Sequence, residues 1–79
     1  MRTIADQWAD FERLVMPQGA GQLQRKEMRR AFYAGFQASL NVGVEIAAAD
    51  LSDEAGAAVL QGLHEECQSF CAEIAAGRA

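Results

Sequence analysis

Between Gln22 and Ala48, residues four apart fall into rows of sharply different character. Ala31, Gly35, Ser39, Gly43 and Ala47 form a row of small side chains, and Phe32, Phe36, Leu40 and Val44 a neighbouring row of large apolar ones. A third row, Arg25, Arg29, Tyr33, Gln37, Asn41 and Glu45, is polar. Side chains four apart stack along one face of an α-helix, so the pattern predicts a single helix over the stretch, on the order of 40 Å long, with one buried face. Glycine costs roughly 1 kcal/mol relative to alanine inside a helix. Two glycines on one row therefore predict that a neighbouring helix backbone comes close there.

Two further helices are legible on either side. Ile4, Trp8, Phe11 and Leu14 with Val15 repeat at helical spacing behind Thr3, whose hydroxyl suits an N-cap, and Asp6 favours the positive end of that helix. Pro17-Gln18-Gly19-Ala20-Gly21 reads as a loop, so the first helix is expected to stop near Val15 or Met16. Ser52-Asp53-Glu54 is a second capping sequence. Beyond it Val59, Leu63, Cys67, Phe70 and Ile74 mark an apolar face, Leu60, His64 and Cys71 widen it, and Gly77 closes the helix. No strand-like alternation, internal repeat or low-complexity tract interrupts this reading. The expected fold is all-α, a single domain over residues 1–79 in which a short N-terminal helix packs on a long antiparallel helical hairpin.

Composition sharpens the picture. A chain of 79 residues, 51% hydrophobic, has a thin core for an isolated monomer, and self-association into a homo-oligomer is expected. A formal net charge of -4 argues against general nucleic-acid binding and against an anionic membrane, both of which need a dominant basic field. The charge is nevertheless uneven: residues 1–40 carry six Lys or Arg against four Asp or Glu, and residues 41–79 carry one against seven. Asp6, Asp10 and Glu12 leave no room for a signal-peptide apolar core, and no apolar run reaches membrane-spanning length, so a cytoplasmic location is expected. Cys67 and Cys71, four apart on a helix, are awkwardly placed for a disulfide and read as buried, reduced thiols.

His64, Cys67 and Cys71 share a helical face, yet three ligands from one helix leave a zinc tetrahedron incomplete. The single histidine likewise has nothing in the sequence to orient it as a catalytic base. Neither a metal, a cofactor nor an enzymatic activity is expected. Arg25, Lys26, Arg29 and Arg30 are more informative, because cations in the first turns of a helix oppose its macrodipole, and this helix start lacks the Ser, Thr, Asp or Asn cap that the other two possess. Free amides beside four cations suit an anion, and Tyr33, with Trp8 or Phe32 nearby, offers a flat face for a base. The opposing reading is that these cations are a solvated face or are neutralised by acids of the third helix.

Trp8, Pro17 and the run Glu27-Met28-Arg29-Arg30-Ala31-Phe32-Tyr33-Ala34-Gly35 resemble a group of short proteins encoded by temperate phages and prophages. More loosely, the loop proline followed by an arginine-bearing helix start and a long hairpin is similar to the small helical sponge proteins with which phages sequester cyclic-nucleotide signals of CBASS immunity. That resemblance implies an oligomer binding a nucleotide between subunits, with Pro17, Arg29 and Tyr33 near the pocket. The leading expectation is thus a non-enzymatic phage accessory protein in the host cytosol that captures a small anionic ligand, an immune signalling nucleotide, through Trp8, Pro17, Arg25, Lys26, Arg29, Arg30 and Tyr33. The alternative is an interaction module that inhibits a host defence or transcription protein by docking through its acidic third helix.

Overall fold

The computed structural model describes all 79 residues and contains three helices and no strand: α1 over Ile4–Leu14, α2 over Gln22–Ala48 and α3 over Asp53–Ala75. The all-α class and all three helices follow the sequence pattern. No helix is long and apolar enough to cross a membrane. The chain divides into two compact units, Met1–Val44 and Glu45–Ala79.

The first unit is built by α1 and most of α2. A capping box starts α1: the Thr3 hydroxyl accepts the Asp6 amide at 3.1 Å, and the Asp6 carboxylate accepts the Thr3 amide at 3.0 Å. Arg2 pairs with Asp10 and also donates to the Asp6 carbonyl at 3.2 Å. The Thr3 amide bond holds the Asp6 carboxyl below the usual aspartate range, and the Arg2 hydrogen bond does the same for Asp10. On the other face of α1, Trp8 and Phe11 stack at 5.6 Å, and Phe32 of α2 closes a triangle at 5.5 and 5.3 Å from them. Aromatic pairs at these separations contribute roughly 0.5–1.5 kcal/mol each beyond the area they bury.

The core is small. Trp8, at 8% exposure, and Met16, at 7%, are its only buried side chains, with Ile4, Phe11, Met28, Phe32 and Phe36 half-buried around them. Here the apolar stripe expected on α1 needs correction. Leu14 and Val15 are exposed, because the helix ends at Leu14 and the chain turns there, and Met16, immediately before the proline, is folded inward instead. The large row of α2 is corrected in the same way: Phe32 and Phe36 are covered, whereas Leu40 and Val44 lie open.

The second unit carries the last turn of α2 and all of α3. Ala49 closes the helical bonding of α2 on the Glu45 carbonyl, and Asp50 follows with φ 52°, a left-handed conformation that aspartate, like asparagine, adopts more readily than other residues with a side chain. The Ser52 hydroxyl caps α3 by accepting from the Ala55 amide at 3.1 Å, and Asp53 and Glu54 occupy the first turn. At the other end Gly77 has φ 75°, its amide donates to the Ile74 carbonyl at 3.0 Å, and the Arg78 amide donates to Glu73 at 2.9 Å. These two bonds complete a Schellman motif. Between its caps α3 buries no residue; only Leu63 among its large apolar side chains is half-covered.

Within the first unit nothing makes the close approach expected at the glycine row. A Cβ built at Gly35 or Gly43 would meet nothing within 4 Å. Burial of the cysteines is also corrected, since Cys67 and Cys71 are exposed free thiols.

Candidate functional site

The start of α2 shows why its seven candidate residues do not act alike. Pro17 opens a turn in which the Ala20 amide donates to the Pro17 carbonyl at 3.1 Å, and Gly21 then presents its carbonyl to the Arg25 amide at 3.0 Å. No side chain caps the helix, and its first turn contains no acid. The amide end that normally attracts a carboxylate is left to whatever lies nearby.

Three of the seven are committed to the fold. Trp8 is buried in the aromatic triangle, so its faces are taken by Phe11 and Phe32 and it offers no stacking platform. Arg25 forms an ion pair with Glu12 of α1 at 3.3 Å, while its Nε donates to the Ala20 carbonyl at 3.3 Å; it fastens the helix start to α1 and to the loop. Pro17 shapes that loop. The Glu12–Arg25 pair was missed at the level of sequence, although an acid in the last turn of one helix and a base in the first turn of the next, across a short loop, is a signal for such a clasp.

The other four converge. Lys26, Arg29, Arg30 and Tyr33 are spaced three, one and three residues apart and share one face of α2, where they line an open recess of about 370 Å³. The Arg29 guanidinium carbon lies 5.6 Å from the centroid of the Tyr33 ring, within range of a cation–π contact that holds both groups at the recess. Tyr33 is half-buried and braced edge-on against Phe32 at 6.4 Å. Arg30 reaches Glu27 only at 3.5 Å, between two well-exposed side chains, a pair that solvent weakens greatly. Lys26 and Arg29 form no ion pair. Three cations and one aromatic ring thus meet with a single weak counter-charge among them. Such a set can hold an anion through charge-assisted hydrogen bonds and lay a planar group against Tyr33.

Elsewhere, Glu66, Cys67, Phe70 and Cys71 border another open hollow, on α3. No group of three or more His, Cys, Asp or Glu side chains is arranged to hold a metal ion. Comparison with protein-family models finds no match, and comparison with characterised proteins and solved structures finds none that is significant.

Proposed function

We propose that this chain is a non-enzymatic phage accessory protein that sequesters a small anionic ligand, an immune signalling nucleotide, in the host cytosol, and that it works as an assembly of copies. The observation that carries this reading is the recess formed by Lys26, Arg29, Arg30 and Tyr33, in which two cations lack any counter-ion and a third is only weakly paired. A phosphate would supply the missing charge, and a base would stack on Tyr33. Trp8, Pro17 and Arg25 hold α1, the loop and the start of α2 together. Each charge-assisted hydrogen bond contributes roughly 1.5–3 kcal/mol, so in calorimetry against cyclic di- and trinucleotides and ADP-ribose derivatives, Arg29→Ala is expected to weaken binding by about tenfold or more. Tyr33→Ala loses a stacking contribution of roughly 1–3 kcal/mol.

The second reading, docking on a host defence or transcription protein through the third helix, has its own observation: Leu60, Phe70 and Ile74 are exposed along α3. If the nucleotide panel shows no binding while a host protein forms a stable complex with the chain, the docking reading takes precedence.

A further inference from the structure

The two cysteines take no part in the basic recess. Both are free thiols open to solvent, so they are not the inert packing that buried cysteines supply. They stand four residues apart inside α3, one turn from each other on the same face, and both border the hollow shared with Glu66 and Phe70. The helix limits what the pair can do together. Side chains at this spacing have their β-carbons about 5–6 Å apart, whereas a disulfide needs about 3.5–4.5 Å. Bonding the sulfurs to each other would therefore deform α3. An ion placed between them makes a different demand: thiolate–metal bonds of about 2.3 Å on either side of it separate the sulfurs by up to about 4.6 Å. Two side chains leaning together from adjacent turns meet that distance with the backbone still helical. We propose that Cys67 and Cys71 form a two-thiolate site for a soft monovalent cation, copper(I).

The donor set selects the ion. Thiolates favour copper(I), zinc and iron–sulfur clusters over magnesium, calcium or manganese. A structural zinc takes four protein ligands, and a cluster takes four cysteines. Here no third His, Cys, Asp or Glu joins the pair in an arrangement able to hold a metal. His64 shares the helical face but lies seven residues from Cys71, two turns away. Copper(I), with a filled d shell and no demand for four ligands, is satisfied by two thiolates in a line. Of the side chains around the hollow only Glu66 offers oxygen, so a hard cation seeking six or more oxygens gains little there. As each sulfur bonds the ion its thiol proton passes to solvent, two protons leaving for one cation, and affinity rises with pH.

This inference goes beyond the proposed function and does not rest on the anionic ligand. Its test presents copper(I), kept reduced with ascorbate under argon, to the full chain in competition with the coloured chelator bicinchoninate. One ion per chain is expected to leave the chelator, with a thiolate-to-copper band appearing in the ultraviolet and persisting in excess zinc. Cys67→Ser and Cys71→Ser are each expected to lose the ion while keeping wild-type ellipticity, since neither thiol is buried. His64→Ala is expected to bind it as wild type does. The proposal is overturned if the chain withdraws no copper, if either serine variant binds like wild type, or if His64→Ala loses the ion. Half an ion per chain would overturn it too, by showing one cysteine from each of two chains on a shared ion, as would displacement of copper by zinc. A chain that binds copper as described but no nucleotide sinks the ligand reading alone.

Discussion

The unit made by α1 and most of α2 and the unit that carries α3 solve the same problem differently. In the first, Trp8, Phe11 and Phe32 bring their rings within 5.6 Å of one another, and an ion pair between Glu12 and Arg25 fastens the same two helices. In the second, the features that define α3 lie mostly at its ends, Ser52 at the start and Gly77 with the Glu73–Arg78 pair at the finish, with one hydrogen bond from Gln61 to Glu65 between them. Both helices of the first unit hold each other through side chains that are far apart in sequence. The second relies more on local chemistry, although most helical stability in proteins comes from packing of an apolar face.

The largest test of this contrast is truncation of one aromatic in each unit. Trp8→Ala is expected to cost about 3–5 kcal/mol, a large share of what so small a core can supply, whereas Phe70→Ala, at an exposed position, should stay within about 0.5 kcal/mol of wild type. Denaturant titration of both variants checks this, and equal losses would erase the distinction between the units. Glycine substitutions come next. Gly35→Ala and Gly43→Ala, with open space at each Cβ, are expected to stabilise the chain by up to about 1 kcal/mol each, while Gly77→Ala, forced into a left-handed conformation, should lose about 1–2 kcal/mol. If Gly35→Ala destabilised the protein in thermal melts, something outside the first unit would have to occupy that row.

The smallest expected effect is on acid stability. Asp6 and Asp10 bind protons less tightly when folded than when unfolded, because the Thr3 amide and Arg2 stabilise their ionised forms. Their contribution is therefore complete above the ordinary aspartate value of 3.8 and fades as the pH falls below it through the lowered folded values. Asp6→Asn should flatten the acid limb of a stability profile, and an unchanged limb would show that the capping box does not persist in solution.

Helix positions were readable because local chemistry dictates them. Thr3, Ser52 and Gly77 announced the ends they form, and Pro17 with Gly19 and Gly21 announced the first loop. Burial was less readable, since periodicity shows which side chains share a face but not whether anything covers it. Phe32 and Leu40 belong to one row, and only Phe32 meets α1. Leu14 lost its place to Met16 because the turn before the proline redirected the chain. The basic cluster was legible as an anomaly, but a list of residues could not divide it. Arg25 looked equivalent to Arg29 until Glu12 claimed it, and Trp8 looked available until the rings of Phe11 and Phe32 enclosed it.

Trp8 is the chain's only tryptophan, and it is enclosed by the first unit's side chains. Indole emission responds to the polarity and quenchers around that single ring, so intrinsic fluorescence is a private reporter on the docking of α1. Far-UV ellipticity, by contrast, sums all three helices. The molecule therefore comes with two optical signals that need not change together: if α3 loses its helix before the aromatic triangle opens, ellipticity will fall while the emission maximum holds. Coincident curves would mean that both units unfold in one cooperative step, and separated curves that they do not.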